Sequence, residues 1–312
     1  MYMIGIDLGG TNIAVGVVDE TYHISTVHTA PTRAQLGPEA LLDDVAACVR
    51  AVMEKDGCDP KACVGVGLGA PGSCDRAAGI VRYAPNLDWH GVPAAKMLSE
   101  RLGGVKVVLG NDADCAALAE TVAGAATGSE SVLLITLGTG VGGGLINGGR
   151  IAFGFRGRGG EFGHMVIDMD GEKCGCGQVG CWEAYASATA LVRQAMRAAQ
   201  AHPESKLNDL LPLDGRKIYE AAAAGDETAK AVTDKYAEYV GVGLVGLINA
   251  VAPEIVLLGG GVSGAGEMLL APVRRYVRMH AFLKEPALLP DIRAAKLGND
   301  AGIIGAAALV WA

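Results

Sequence analysis

The chain has 312 residues and a formal net charge of −8, and half of its residues are hydrophobic but only 5% are aromatic. This length allows one large or two moderate domains, and the acidic balance without a basic face argues against a nucleic-acid-binding protein. Because no basic segment precedes the first apolar run and no apolar run is long enough to cross a bilayer, we expect a cytoplasmic protein without a signal peptide or a membrane partner.

The first apolar runs predict a β-hairpin. Residues 3–8 and 13–18 are mostly apolar, and Gly9-Gly10-Thr11-Asn12 joins them. Pro38 then begins a predicted helix, whose apolar positions recur every three or four residues. Two buried strands follow, over 64–68 and 105–109, and a helix is expected over 113–123.

The middle of the chain repeats the pattern of its beginning. Residues 132–137 form an apolar run, Gly138-Thr139-Gly140 turns it, and 141–146 leads away. An apolar strand, a Gly/Thr turn and a second apolar strand therefore occur twice, about 130 residues apart. This weak internal repeat predicts two related α/β domains.

The remaining elements alternate between helix and strand. A strand over 254–258 runs into Gly259-Gly260-Gly261, and a helix, a strand and a last helix over about 301–311 close the chain. Earlier helices are expected over 184–199, 215–224 and 227–251, with a polar loop over 201–213. Alternating strands and helices predict an α/β fold with a mixed sheet covered on both faces.

Three glycine turns, each after an apolar strand, predict a site for a nucleotide. Their backbone N–H groups can approach phosphate oxygens closely because no Cβ stands in the way. Asp7, at the end of the first strand, can hold a hydrated Mg²⁺ beside them. Alone, the first two turns are better explained as ordinary hairpins, and the third can be a plain strand-to-helix turn, so the prediction rests on the three together. No P-loop sequence is present.

Asn111 and Asp112 follow a buried strand and precede a helix. An aspartate in this place is commonly a helix N-cap. It can also be a general base for phosphoryl transfer, with Asn111 orienting the acceptor. The sequence leaves both interpretations open, and one residue can serve both purposes.

His164, Cys174, Cys176 and Cys181 lie within eighteen positions of one another. One imidazole and three thiols are a ligand set for tetrahedral zinc, and four protein ligands leave no open position for water. We therefore expect a structural zinc that holds the flanking acids, Glu161 and Glu183, in place. The other five cysteines follow no regular spacing, and we expect them to be reduced.

Taken together, these motifs resemble the ROK family (repressor, open reading frame, kinase) of the hexokinase/actin-like ATPase superfamily. The resemblance runs nearly end to end. Its most specific part is the run from Glu161-Phe-Gly-His164 through Cys174-Gly-Cys176-Gly to Cys181-Trp-Glu183. The resemblance implies two related actin-like (RNase H-like) α/β domains with a central cleft, in which ATP and a sugar meet. We expect residues 1–111 plus 299–312 to form the smaller domain, and 112–298 the larger, zinc-binding one.

The resemblance also implies roles for individual residues. Asp112 is the expected catalytic base, and Asp114, where the family usually has Asn, is expected on the first helical turn. The expected sugar-binding residues are Gly72, Asn86, Asn111, Asp112, Glu161, His164 and Glu183. The expected contacts to ATP and Mg²⁺ are Asp7, Gly9, Gly10, Thr11, Asn12, Gly138, Thr139, Gly140 and Gly260, although many family members have Lys where Asn12 stands. His164 is expected to bind zinc through one ring nitrogen and sugar through the other.

The implied activity is ATP-dependent phosphorylation of a hexose, with glucose the leading substrate. N-acetylmannosamine, N-acetylglucosamine, fructose and allose are alternatives. An N-acetyl sugar needs room beside its 2-position, and the sequence does not show that volume. A sugar-responsive repressor is disfavoured, since the first strand begins at residue 3 and leaves no room for a DNA-binding segment. By analogy with the family we expect a homodimer.

Overall fold

The structure, a computed structural model, describes residues 1–311 and divides into two compact units. Unit 1 contains residues 1–132 and 144–160 and the chain from Lys296 onward. Unit 2 contains residues 133–143 and 161–295. Helix and strand alternate through most of the chain, as the sequence predicts.

Thirteen strands are present in the described chain. They are β1 Tyr2–Leu8, β2 Asn12–Asp19, β3 Ile24–Pro31, β4 Cys63–Ala70, β5 Ser73–Asp75, β6 Ile80–Ala84, β7 Trp89–Val92, β8 Val107–Asn111, β9 Val132–Leu137, β10 Val141–Asn147, β11 Arg150–Ile151, β12 Ile255–Gly259 and β13 Asp291–Ala294.

Nine α-helices accompany these strands in residues 1–311. They are α1 Gly37–Asp56, α2 Ala94–Arg101, α3 Asp112–Val122, α4 Glu183–Ala186, α5 Ala188–Ala201, α6 Gly215–Ala223, α7 Glu227–Val251, α8 Glu267–His280 and α9 Asp300–Ala308. Among the described residues, no helix combines the length and the apolar character that crossing a membrane requires.

The main sheet of unit 1 has the order β3-β2-β1-β4-β8. The predicted hairpin is confirmed, because β1 pairs antiparallel with β2 through every residue from Tyr2 to Leu8. Strand β1 is parallel to β4, and β4 is parallel to β8. The carboxyl ends of β1, β4 and β8 therefore lie at one edge of the sheet, where ligands bind in open α/β sheets.

The second sheet confirms the internal repeat. Its order is β11-β10-β9-β12-β13, so a three-strand meander is followed by two later strands, as in the first sheet. Strands β12 and β13 are parallel, like β4 and β8. A smaller sheet of order β5-β6-β7 belongs to unit 1, and the sequence analysis did not predict it.

The core of unit 1 forms where the predicted apolar faces meet. Strand β1 buries Ile4, Ile6 and Leu8 completely, and α1 packs Leu41 and Leu42 into the same cluster. Helix α1 ends at Gly57, which has the left-handed conformation that terminates helices. The 3.6-residue period of α1 thus marks its buried face correctly.

Some element boundaries differ from the predictions. The helix predicted over 184–199 is two helices, because Ser187 adopts an extended conformation and its side chain caps α5 by accepting from the Ala190 N–H. The strand predicted over 105–109 runs instead from Val107 to Asn111. The strand predicted between the last two helices is β13, whereas strand β3 and helix α2 were not predicted.

The division into compact units differs from the predicted domain boundaries. Helix α3 and the 144–160 segment belong to unit 1, whereas the prediction assigns everything from Asp112 to residue 298 to the larger domain. Helix α3 packs along α9, and both helices lie in unit 1. The predicted functional division at Asp112 stays a prediction.

The crossing of α3 and α9 requires a residue without a side chain. A Cβ atom at Gly305 of α9 would collide with the backbone carbonyl of Cys115 in α3. The two backbones therefore touch directly, and this contact sets the distance between the helices.

We expect Gly305→Ala to destabilise the protein by about 2 kcal/mol, because the added methyl group forces α3 and α9 apart. Gly246→Ala is the matched control: Gly246 lies on α7 with open space around its Cβ position. The control should gain up to about 1 kcal/mol from helix propensity alone. Urea unfolding of both variants measures the free energies, and a stabilised Gly305→Ala protein would show that the helices do not touch as described.

Candidate functional site

Two carboxylates lie at the carboxyl edge of the first sheet. Asp7 is in β1, where it pairs with Gly69 of β4, and Asp112 follows β8 directly as the first residue of α3. Burial and the nearby Asp112 carboxylate raise the pKa of Asp7 to about 6. Two acidic groups brought this close are unfavourable for stability, which is typical of a site that acts on a cation or a reacting proton.

Asn111 caps the helix that carries Asp112. Its side-chain oxygen accepts hydrogen bonds from the backbone N–H groups of Ala113 at 2.9 Å and Asp114 at 3.1 Å. The structure thus assigns the N-cap to Asn111 rather than to Asp112. One Asp112 oxygen accepts from the Ala113 N–H at 2.8 Å. Asp114 lies on the first helical turn, as predicted, and is buried.

Gly72 belongs to the same group of residues. Its carbonyl oxygen accepts a hydrogen bond from the side-chain amide of Asn111 at 3.0 Å. Its φ of 83° is unfavourable for residues with a side chain, and a Cβ there would collide with the Tyr83 carbonyl oxygen. The predicted sugar-binding residues Gly72, Asn111 and Asp112 are therefore brought together.

The first glycine turn borders a cavity of about 660 Å³ in unit 1. The turn is held by Thr32, the residue after β3, which donates from its hydroxyl to the Gly9 carbonyl oxygen and from its N–H to the Thr11 carbonyl oxygen, both at 2.7 Å. Asn86 lies next to Gly10. The residues that line the cavity are Asp7, Gly9, Gly10, Thr11, Asn12, Ala14, Thr29, Ala30, Pro31 and Asn299.

Asn299 is a lining residue that the sequence analysis missed. The signal was present, because the pentapeptide Leu-Gly-Asn-Asp-Ala occurs both at 109–113 and at 297–301. Each copy leads into a helix, α3 or α9, and each places its Asn at the N-cap. The copies differ in one respect: the Asn111 side chain caps its helix, whereas Asn299 makes no side-chain capping bond.

The four predicted metal ligands converge in unit 2. The ligand atoms of His164, Cys174, Cys176 and Cys181 all lie within 4.8 Å of one another. The Cys176 and Cys181 sulfurs are 3.6 Å apart, and the Cys174 sulfur is 3.8 Å from Nδ1 of His164. Sulfurs at the corners of a tetrahedron around zinc are about 3.8 Å apart, so the donor set fits that metal.

Glu183 links this cluster to the second glycine turn. One carboxylate oxygen is 3.7 Å from the Cys174 sulfur, and the other accepts a hydrogen bond from the Val141 N–H at 3.0 Å. A Cβ at Gly140 would collide with the same carboxylate. Glu161 precedes the short helical turn that ends at His164, and its carbonyl oxygen accepts from the His164 N–H at 3.1 Å.

The second and third glycine turns also meet in unit 2. Gly138, Thr139 and Gly140 follow β9, and Gly260 follows β12. Gly260 packs so closely against the end of β9 that a Cβ there would collide with the backbone of Leu137. Just beyond Gly260, a cavity of about 420 Å³ opens between α6 and α8. Its lining includes Gly261 of the predicted third glycine turn, and also Arg216, Tyr219, Val262 and Met268, which the sequence did not indicate.

We expect Asp7→Asn to stabilise the Mg²⁺-free protein at pH 7.5 by at most about 3 kcal/mol, with little effect at pH 4. The raised pKa means that the folded protein binds this proton more tightly than the unfolded chain, so the wild type loses stability as the pH rises from about 4 to about 6. Urea unfolding in EDTA at the two pH values measures the difference. An effect of equal size at both values would contradict the assigned ionisation.

Similarity to known proteins extends over the whole chain. The sequence model of the ROK family matches residues 3–312. A glucokinase of Streptomyces coelicolor is 40% identical, over 98% of this chain and 96% of the relative. A crystal structure of a ROK family glucokinase from Streptomyces griseus, in complex with glucose and AMPPNP, is 39% identical with a TM-score of 0.82, covering 99% of both chains. A ROK hexokinase from Thermus thermophilus is 38% identical with a TM-score of 0.81, covering 100% of this chain and 98% of that one.

Proposed function

The chain belongs to the ROK family, and from that premise we propose that it is an ATP-dependent kinase that converts glucose to glucose 6-phosphate. The observation that carries the proposal is the placement of Asp112 beside Asp7, at a sheet edge that also borders the glycine-turn cavity. An acid positioned next to a phosphate site is what phosphoryl transfer to a hydroxyl requires. Glucokinase relatives at about 40% identity over nearly the full length support glucose as the acceptor.

Asp112 is the proposed general base. Its carboxylate takes the proton of the sugar 6-hydroxyl while that oxygen forms a bond to the γ-phosphorus of ATP. The bond from the γ-phosphorus to the oxygen bridging to the β-phosphate breaks, and ADP leaves with that electron pair. The Asn111 cap fixes the first turn of α3 and so holds the base in position.

The phosphates of ATP are proposed to lie on the glycine turns. Gly10, Thr11 and Asn12 of the first turn and Thr139 and Gly140 of the second are the residues proposed to face the phosphates with backbone N–H groups and the threonine hydroxyls. Gly9 and Gly138 shape these turns, because their N–H groups donate to the Asn12 carbonyl at 2.9 Å and to the Gly140 carbonyl at 3.0 Å. Mg²⁺ supplies positive charge that neutralises the phosphate oxygens during transfer, and Asp7 is the acid proposed to stand beside it. The cavity beyond Gly260 is a suitable place for the adenosine, because its lining is mostly apolar side chain and backbone.

The sugar hydroxyls are proposed to bind Gly72, Asn86, Asn111, Glu161, His164 and Glu183. Carboxylates and amides suit this purpose, because neighbouring hydroxyls both donate and accept hydrogen bonds. A site of this kind rejects a sugar whose missing hydroxyl leaves a buried polar group unpaired. The proposed zinc, held by His164, Cys174, Cys176 and Cys181, would fix Cys181, which lies two residues before Glu183, and would take no part in the chemistry.

Incubation with ATP, Mg²⁺ and a panel of hexoses tests the activity directly. We expect glucose to be the best substrate and the product to carry its phosphate on the 6-hydroxyl, as seen by NMR. Competition with 2-acetamido sugars separates glucose specificity from N-acetylhexosamine specificity. If no sugar in the panel is phosphorylated, the proposed function is wrong.

We expect Asp112→Asn to lower kcat by at least about 1000-fold, because the amide cannot accept the hydroxyl proton. Glucose affinity, measured by calorimetry without nucleotide, should change little, since the amide still forms hydrogen bonds. Asp234→Asn, on the exposed face of α7, is the control. If kcat of Asp112→Asn is within tenfold of the wild-type value, Asp112 is not the general base.

We expect about one zinc per chain by elemental analysis, and Cys176→Ser should hold less than about a tenth of that amount. Loss of the metal should lower kcat/KM for glucose, because Glu183 loses its support. Cys58→Ser, outside the cluster, should keep its zinc. A metal-free wild type with full activity would refute a structural zinc.

The homodimer, the lack of a nucleic-acid partner and the cytoplasmic location stay predictions from the sequence. The same holds for the division of the chain into functional domains at Asp112.

A further inference from the structure

Glu120 is a buried carboxylate in the last turn of α3 that the proposed mechanism does not use. Its side chain is 1% exposed. One oxygen accepts hydrogen bonds from the backbone N–H groups of Lys296 and Leu297, both at 2.7 Å, and the other accepts from the Ala125 N–H at 2.7 Å. Two of these three short bonds join α3 to a segment far away in the sequence, and hydrogen bonds to a carboxylate are stronger than those between neutral groups.

The surroundings of Glu120 are shaped to hold the carboxylate. A Cβ at Gly124 would collide with the oxygen that faces Ala125. Burial of a charged group is unfavourable unless hydrogen bonds replace the lost water. The bond to Ala125 is local, because it joins Glu120 to the chain just after α3. The bonds to Lys296 and Leu297 instead join residues that are 176 and 177 positions apart in the sequence. Glu120 therefore fixes the segment just before α9.

This segment leads directly to the phosphate cavity. Leu297 packs against Ala119 and Ile304, and Gly298 turns the chain with a φ of 54°. The next residue, Asn299, lines the cavity together with Asp7 and the first glycine turn. Its side-chain amide is not used to cap α9, which leaves the amide available for a ligand.

We propose that Asn299 binds a phosphate oxygen of the nucleotide and that Glu120 is the positioning residue that holds Asn299 in place. The inference rests on the proposed function and adds two residues to it. An amide N–H donates readily to an anionic oxygen, and the cavity already offers the backbone N–H groups of a glycine turn. Glu120 itself is buried in the last turn of α3 and does not touch the substrate.

The two residues are tested by a double-mutant cycle on the full-length enzyme. Asn299→Ala should raise KM for ATP about tenfold with KM for glucose unchanged, because one hydrogen bond to a charged group is lost. Glu120→Gln should raise KM for ATP by several-fold, since either orientation of the new amide places NH₂ against a backbone N–H. If Glu120 acts through Asn299, the double variant should match Asn299→Ala within twofold.

Two further variants control for general damage. Glu100→Gln, on the exposed face of α2, should leave KM unchanged. Gly124→Ala keeps the Glu120 charge but displaces its carboxylate, so it should reproduce the KM effect and replaces Glu120→Gln if that variant does not fold. Thermal unfolding of each variant shows whether the assay temperature lies below its Tm.

The outcomes separate this inference from the proposed function. A multiplied effect in the double variant, or a Glu120→Gln protein with a lower Tm but an unchanged KM for ATP, overturns the positioning role. An unchanged KM in Asn299→Ala overturns the phosphate contact. Both results require an active wild type, and a wild type that phosphorylates no hexose removes the proposed function and this inference together.

Discussion

Unit 1 must hold two carboxylates, those of Asp7 and Asp112, close together at one edge of its main sheet. Asp7 and Asp112 repel each other, and Asp7 is largely buried, so its pKa rises to about 6. The fold supports this arrangement locally: Asn111 caps the helix that begins with Asp112, and Gly302 in the first turn of α9 leaves room for the Asp7 carboxylate. An N-terminal helical turn also favours a negative charge. The parallel order of β1, β4 and β8 brings these parts to the same edge.

Helix α3 connects the sheet edge that carries Asp112 to the segment that precedes α9. It carries Asp112 in its first turn and Glu120 in its last. Between these two residues, the backbone of Cys115 touches Gly305 of α9. A contact at one point would allow the helices to pivot, whereas the Glu120 bonds give a second fixed point. In unit 2 the Val141 N–H holds one Glu183 oxygen, and Cys181 of the Cys and His cluster lies two residues before Glu183 in the chain. Both units thus use rigid local contacts to place carboxylates.

The sequence predicted those features that depend on local pattern. The β1–β2 hairpin, α1 and α7 were predicted because apolar period and glycine turns decide them. Strand β3 was not, since Ile24–Pro31 lies at the sheet edge and its residues alternate only weakly in burial. The single helix predicted over 184–199 was wrong because the backbone of Ser187 is extended. The convergence of His164, Cys174, Cys176 and Cys181 was predicted because residue types and spacing alone indicate it. Glu120 was not, because an acid inside a helical pattern gives no sign of partners 176 residues away.

The most direct test of the account is a crystal structure of the protein with glucose and a non-hydrolysable ATP analogue. We expect a carboxylate oxygen of Asp112 to lie within about 2.6–3.2 Å of the glucose 6-oxygen, on the side opposite the γ-phosphate. A complex in which both ligands are bound and Asp112 points away from that oxygen would contradict the central claim.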